Sequence, residues 1–150
     1  MSHAATTPDV SIVVPVHGCA GCLEDLVERC LRACAGHDVE ILLVDDASPD
    51  GAWARIAELA ARHAAVRGVK LSRNFGQHAA IRAGLAHAGA GRVVVMDCDL
   101  QDRPEEIPRL LQRLDAGVDV VQALRTGRRD GWRKRLASRL FYALLSWLGD

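Results

Sequence analysis

Four short apolar runs constrain what this chain can fold into: Val10 to Val16 (VSIVVPV), Val39 to Val44 (VEILLV), Val66 to Leu71, and Arg92 to Met96. Each is rich in β-branched residues, too brief for a buried helix, and gives way to a polar loop, so each reads as a buried strand. Segments with helical spacing lie between them. Leu23 to Ala35 carries Leu23, Leu26, Val27, Cys30, Leu31 and Cys34 on one stripe and is closed by Gly36; Ala52 to Ala65 repeats the pattern through Trp53, Ile56, Leu59 and Ala60. Gln77 to Ala88 is alanine-rich and ended by Gly89 and Gly91, and Pro104 to Asp115 places Ile107, Leu110, Leu111 and Leu114 on one face. Val118 to Leu124 is expected to be a fifth strand. Strands and helices alternating at these lengths predict an α/β fold, a mostly parallel sheet with helices on both faces.

With 150 residues, 49% apolar and 25% charged, the chain can build one domain with a core of its own. Residues 1–9 are polar, read as disordered, and carry no signal peptide; residues 10–124 form the α/β domain; residues 125–150 differ in kind. The zero formal charge hides a basic tail, because residues 125–150 hold 7 basic and 2 acidic side chains. Such a tail looks for phosphate, nucleic acid or an anionic membrane surface. Nucleic acid is set aside, since aromatics are missing from most of the tail and the body is acidic. Leu136 to Leu148 (LASRLFYALLSWL) is apolar around most of a helix, with Tyr142 and Trp147 as amphipathic aromatics. It either packs on the sheet or lies in a membrane interface, with the preceding arginines on lipid phosphates. No apolar run approaches the roughly 20 residues of a membrane span.

Five cysteines, Cys19, Cys22, Cys30, Cys34 and Cys98, are an odd number in a chain without a signal peptide, and reduced thiols in a cytosolic protein fit them best. Cys19-x-x-Cys22 with Cys30 and Cys34 has the makings of a zinc set. Cys30 and Cys34 sit on an apolar helical stripe, however, where free cysteine behaves as a small hydrophobe. Cys98 is expected to turn into the core.

In a parallel sheet every strand's carboxyl end falls on one edge, which gathers Pro15-Val16-His17, Asp45-Asp46-Ala47-Ser48, Arg73-Asn74-Phe75-Gly76 and Asp97-Cys98-Asp99. The inventory suits a nucleotide diphosphate. Carboxylates serve Mg²⁺ or Mn²⁺ and accept from hydroxyl or base N–H groups, and Arg73 pairs with phosphate. Neither G-x-G-x-x-G after the first strand nor G-x-x-x-x-G-K-[ST] occurs anywhere, which removes the phosphate cradles of redox dinucleotide and P-loop folds. Asp102, just ahead of Pro104-Glu105-Glu106, reads as the N-cap of the following helix.

These residues resemble the inverting GT-A glycosyltransferases of family two, in the branch of polyprenyl-phosphate sugar transferases that includes dolichol-phosphate mannosyltransferase and bacterial undecaprenyl-phosphate enzymes. The resemblance rests on Ser11-Ile12-Val13-Val14-Pro15-Val16, Val44-Asp45-Asp46-Ala47-Ser48-Pro49-Asp50, Leu71-Ser72-Arg73-Asn74-Phe75-Gly76-Gln77-His78, Met96-Asp97-Cys98-Asp99-Leu100-Gln101-Asp102, and Trp132-Arg133-Lys134-Arg135 with Ser138. It implies a Rossmann-like GT-A fold and transfer of a sugar from a UDP- or GDP-sugar to a polyprenyl phosphate. Asp97 and Asp99 then match the family's Asp-x-Asp as metal-binding and catalytic residues, with Mg²⁺ or Mn²⁺ as cofactor and Gln101 as a further ligand. Pro15, Val16, Asp45, Asp46, Ser48, Arg73, Asn74, Gln77 and Asp97 fall to the nucleotide-sugar, and Arg125, Lys134 and Ser138 to the acceptor phosphate. Work at the inner face of the cytoplasmic membrane as a peripheral protein follows from the resemblance, and a homo-oligomer stays open.

Two departures stand out. His17-Gly18-Cys19 replaces the family's usual Tyr-Asn-Glu, and family members continue beyond the position of Asp150. The expectation is therefore a C-terminally incomplete, nucleotide-binding portion of such an enzyme. The rival expectation is a truncated non-catalytic module that binds nucleotide-sugar, or a partner or membrane through Leu136 to Leu148.

Overall fold

The computed structural model describes residues 7–123. Strands β1 (Val10–Val16), β2 (Val39–Asp45), β3 (Val66–Lys70) and β4 (Arg92–Val95) form one sheet, all parallel, in the order β3-β2-β1-β4. Helices α1 (Leu23–Ala33), α2 (Ala52–Arg62), α3 (Gln77–His87) and α4 (Ile107–Asp115) connect and follow them, and 3₁₀ turns at Ala20–Cys22 and Pro104–Glu106 lead into α1 and α4. All seven residues of β1 and of β2 are buried, as expected for strands covered on both faces.

The pleat divides the core in two. Val10, Ile12, Val14 and Val16 of β1 join Ile41 and Leu43 of β2 on the face covered by Leu26 and Val27 of α1, Ile56 and Leu59 of α2, and Ile107 and Leu111 of α4. Val13, Leu42 and Val44 point the other way and are covered by α3. That helix comes close because position 84 is glycine: a Cβ there would run into the side chains of Val13 and Val44. At the amino edge of the same face, buried Ser11 donates to Glu40 Oε1 at 2.5 Å, and the Gly89 N–H and Arg67 also donate to Glu40. Burial works to raise the Glu40 pKa, but these donors outweigh it and hold the carboxyl below its usual range.

The order places a topological switch point between β1 and β4. The chain moves from β1 through α1 to β2 and through α2 to β3, then returns along α3 on the opposite face to β4. Loops leaving β1 and β4 therefore diverge and open a crevice at the carboxyl edge. The segment after β4 is anchored by Arg29 of α1, which grips Glu105 through two hydrogen bonds of 2.7 Å. The same pair drives the Glu105 carboxyl down to about 2.

One expectation fails here: no strand forms from Val118 through Ala123, the last described residue. Val118 is half exposed. Alternating apolar residues invite a strand only where a neighbouring strand meets their backbone groups, and β-propensity measures that setting more than the residues themselves. Residues 1–6 and the basic segment with its apolar helix, Leu136 to Leu148, lie outside the described residues.

Two tests follow from this packing. Gly84→Ala is expected to lower Tm in a calorimetric scan, because overpacking costs about 1–3 kcal/mol against roughly 1 kcal/mol gained from alanine in a helix interior. An unchanged or raised Tm would contradict the close approach of α3. For Glu105, the folded pKa lies below the ordinary 4.5, so its contribution to stability is present above about 4.5 and is lost as pH falls toward 2. Carboxyl ¹³C titration is expected to show a midpoint near 2 that returns toward 4.5 in Arg29→Gln.

Candidate functional site

The crevice is built from strand ends outward. Pro15 and Val16 close β1, and the loop beyond carries His17, Gly18 and Cys19. The loop after β2 is stitched to it: the Asp46 N–H donates to the Val16 carbonyl at 3.0 Å, the Gly18 N–H to Ser48 Oγ at 2.7 Å, and the Ala20 N–H to Asp50 Oδ2 at 2.8 Å. The Ala20 amide and then the Ser48 hydroxyl hold the Asp50 carboxyl below its usual range. Asp45 Oδ1 accepts the Ser48 N–H at 3.0 Å, the local turn an aspartate makes with the backbone just beyond it.

Asp46 reaches the third loop. Its side chain is buried and accepts the Phe75 N–H at 2.8 Å and the Gly76 N–H at 2.9 Å, one on each oxygen. Gly76 has φ +90° and ψ 158°, a conformation essentially restricted to glycine, which turns its N–H onto Asp46 and starts α3. His17 sits between the loops, with Nδ1 3.1 Å from the Asp46 carbonyl and Nε2 3.3 Å from the Asn74 amide nitrogen. Donation from Nδ1–H to the carbonyl and acceptance at Nε2 satisfy both contacts. The Arg73 guanidinium lies over the Phe75 ring at 4.7 Å.

The fourth loop folds back on itself. The Asp97 N–H donates to Asp102 Oδ2 at 3.1 Å and the Gln101 N–H to Asp99 Oδ1 at 3.0 Å, with Leu100 at φ +62°. Ala47, in the loop after β2, has φ +50°. Two non-glycine residues in the left-handed region, both in loops of this edge, are strained backbone of the kind that clusters at functional sites. Gln77, at the start of α3, donates from Nε2 to Asp97 Oδ1 at 2.7 Å.

Pro15, Val16, Asp46, Gln77, Asp97 and Asp99 line one cavity of about 290 Å³ at the switch point. His17, Cys19 and Cys98 complete much of its wall. Asp45, at the end of β2, and Ser48, Arg73, Asn74 and Gln101, in the adjoining loops, are not among its lining residues. Arg125, Lys134 and Ser138 lie outside the described residues.

Two sequence expectations need correction. Cys19 and Cys98 are joined by a disulfide, with Cα atoms 6.4 Å apart and a sequence separation of 79, so reduced thiols throughout do not describe this structure. Cys98 is buried as expected, but against Cys19. With Cys19 so engaged, the four-thiolate set is not assembled. Cys30 and Cys34 are buried on α1, where desolvation pushes their thiols up, Cys30 to about 12. Asp102 does not cap the helix: the turn at Pro104–Glu106 has Arg103 at its N-cap position and no side-chain cap, and Asp102 closes the Asp97 loop instead.

Among the described residues no helix is long and apolar enough to cross a membrane. The family model for glycosyl transferase family 2 matches residues 11–148. Undecaprenyl-phosphate 4-deoxy-4-formamido-L-arabinose transferase of Edwardsiella ictaluri is 44% identical over 148 residues, covering 97% of this chain and 46% of the relative. Its counterpart from an Enterobacter species is 43% identical, over 97% of this chain and 45% of its own length. The chain thus spans under half the length of these curated relatives. Among solved structures, a mannosyltransferase of Pyrobaculum calidifontis in complex with GDP-Man and Mn²⁺ superposes with a TM-score of 0.66 at 23% identity, over 84% of this chain and 38% of that one. Glucosyl-3-phosphoglycerate synthase of Mycobacterium tuberculosis, in complex with Mn²⁺, UDP and glucosyl-3-phosphoglycerate, gives 0.57 at 21%, over 71% and 39%. The structural likenesses show the fold, which is GT-A. With the family model matching nearly the whole sequence, the chain belongs to glycosyl transferase family 2.

Proposed function

We propose that this chain binds the donor in a glycosyltransferase that moves a sugar, with inversion, from a UDP- or GDP-sugar to a polyprenyl phosphate at the inner face of the cytoplasmic membrane. The observation that carries the reading is the pair Asp97 and Asp99 on the wall of the switch-point cavity, with Gln77 holding Asp97. Identity of 44% to an undecaprenyl-phosphate sugar transferase supports the acceptor class.

The donor set fits Mg²⁺ or Mn²⁺. Both are hard cations, and Mg²⁺ typically takes one or two protein carboxylates and completes its shell with water and substrate phosphates. Two carboxylates on an open cavity meet that need without a third acidic ligand, and Gln101 follows two residues on. A bound cation would neutralise charge on the nucleotide diphosphate as it leaves. Gln77 orients Asp97 as outer partners orient metal ligands generally. Pro15, Val16 and Asp46 wall the nucleoside. Asp45 and Ser48 frame their loop, while Arg73 and Asn74 stand beside it for the diphosphate. Arg125, Lys134 and Ser138 are assigned to the acceptor phosphate, whose oxygen is already anionic and needs positioning more than deprotonation.

Titration calorimetry with UDP and GDP, with and without Mn²⁺, tests this. Metal-dependent binding of one nucleotide is expected, weakened at least tenfold in Asp99→Ala and about 10–100-fold in Gln77→Ala through loss of the outer contact. Folded protein that binds neither nucleotide with Mn²⁺, or Asp99→Ala that binds as the parent does, would refute the proposal.

A further inference from the structure

The disulfide stands in an unusual place. Cys98 lies between the two carboxylates assigned to the metal, and Cys19 lies on the opposite loop, so the bond ties the end of β4 to the end of β1 across the crevice. Both half-cystines line the cavity and are nine-tenths buried. Elsewhere the Asp97–Asp102 loop makes contacts that are individually modest, among them two backbone-to-carboxylate hydrogen bonds, Asp97 to Asp102 and Gln101 to Asp99, and the Gln77 side-chain bond to Asp97, beside a left-handed Leu100. A covalent link at Cys98 restrains the two carboxylates that flank it, Asp97 and Asp99. It also forms part of the cavity wall.

We infer that Cys19 and Cys98 form a redox-responsive modification site whose oxidised state pre-organises the donor pocket. The inference rests on the donor-site reading for its functional consequence. The step is a thiol–disulfide exchange with a dithiol reductant. A thiolate of the reductant attacks one sulfur of the Cys19–Cys98 bond, giving a mixed disulfide and releasing the other cysteine; the second thiol of the reductant then displaces the remaining one. Two electrons pass from the dithiol to the protein, the reductant leaves as its own disulfide, and the two protons end on Cys19 and Cys98. Reduction frees the Asp97–Asp102 loop from the β1 loop, and the carboxylates must then be ordered when cation and diphosphate bind, at a cost in affinity. Cys22, Cys30 and Cys34 carry free thiols and provide an internal reference.

The test compares protein oxidised with diamide and protein reduced with dithiothreitol, each desalted. Peptide mapping after alkylation in denaturant is expected to find Cys19 joined to Cys98 in the oxidised sample, with Cys22, Cys30 and Cys34 alkylated, and all five alkylated in the reduced one. UDP or GDP in the presence of Mn²⁺ is expected to bind the oxidised form at least fivefold more tightly. Amide hydrogen exchange over residues 97–102 is expected to quicken on reduction. The double variant Cys19→Ser/Cys98→Ser is expected to behave as the reduced protein and to ignore dithiothreitol. Cys19 and Cys98 unjoined after oxidation, equal or tighter binding by the reduced form, or unchanged exchange in both states would overturn the inference. If exchange responds to reduction while neither form binds UDP or GDP, the donor-site reading falls and the redox site stands.

Discussion

The buried carboxylate of Asp46 is the contact on which this edge of the protein depends. Its residue ties the loop after β2 to two others: the backbone N–H reaches the Val16 carbonyl at the end of β1, the carbonyl faces His17 just beyond it, and the side-chain oxygens take the Phe75 and Gly76 amides ahead of α3. A buried charge is costly unless hydrogen bonds replace its water. Here the replacements are backbone groups from a loop that has no strand partner, so the same bonds satisfy the carboxylate and define the loop. Gln77 follows directly from Gly76, and its reach to Asp97 is set by where that loop has been placed. An acidic residue in the loop after the second strand thus helps to position the carboxylate at the fourth strand's end.

Much of this was legible in the sequence because parallel strands buried on both faces are written as unbroken apolar runs. β1 and β2 could hardly be mistaken, and an Ala-rich helix with a glycine at position 84 suits a close approach to the sheet. Val118 to Leu124 misled because its apolar residues say nothing of whether a partner strand is present. Asp102 misled for a related reason. An aspartate before a proline has the chemistry of a cap, but the same oxygen serves equally well to accept an amide five residues back, and tertiary geometry decided between them.

The site was legible in parts. Strand-end loops could be collected on one edge from topology alone, which brings Pro15, Val16, Asp46, Asp97 and Asp99 to one cavity. The Gln77 contact spans 20 residues and the disulfide 79, and no local pattern encodes either distance. His17 registered as a strand-end residue and as a departure at a position usually filled otherwise. Its place between the Asp46 carbonyl and Asn74 is set by how the loops pack, which no local pattern encodes. A cysteine three residues after the first strand and another between two strand-end aspartates were the available signal for the bridge, since both positions lie in strand-end loops gathered at the same edge.

Strand direction has a further consequence. Because every strand runs the same way, every connecting helix runs back, and α1, α2 and α3 all begin at the carboxyl edge. Each helix start carries roughly half a positive charge from its aligned peptide dipoles, effective within the first turn. The edge that collects Asp45, Asp46, Asp97 and Asp99 is thus also the edge toward which three macrodipoles aim their positive ends. Acidic side chains crowded there are set against a fixed backbone potential that no substitution of a side chain can remove.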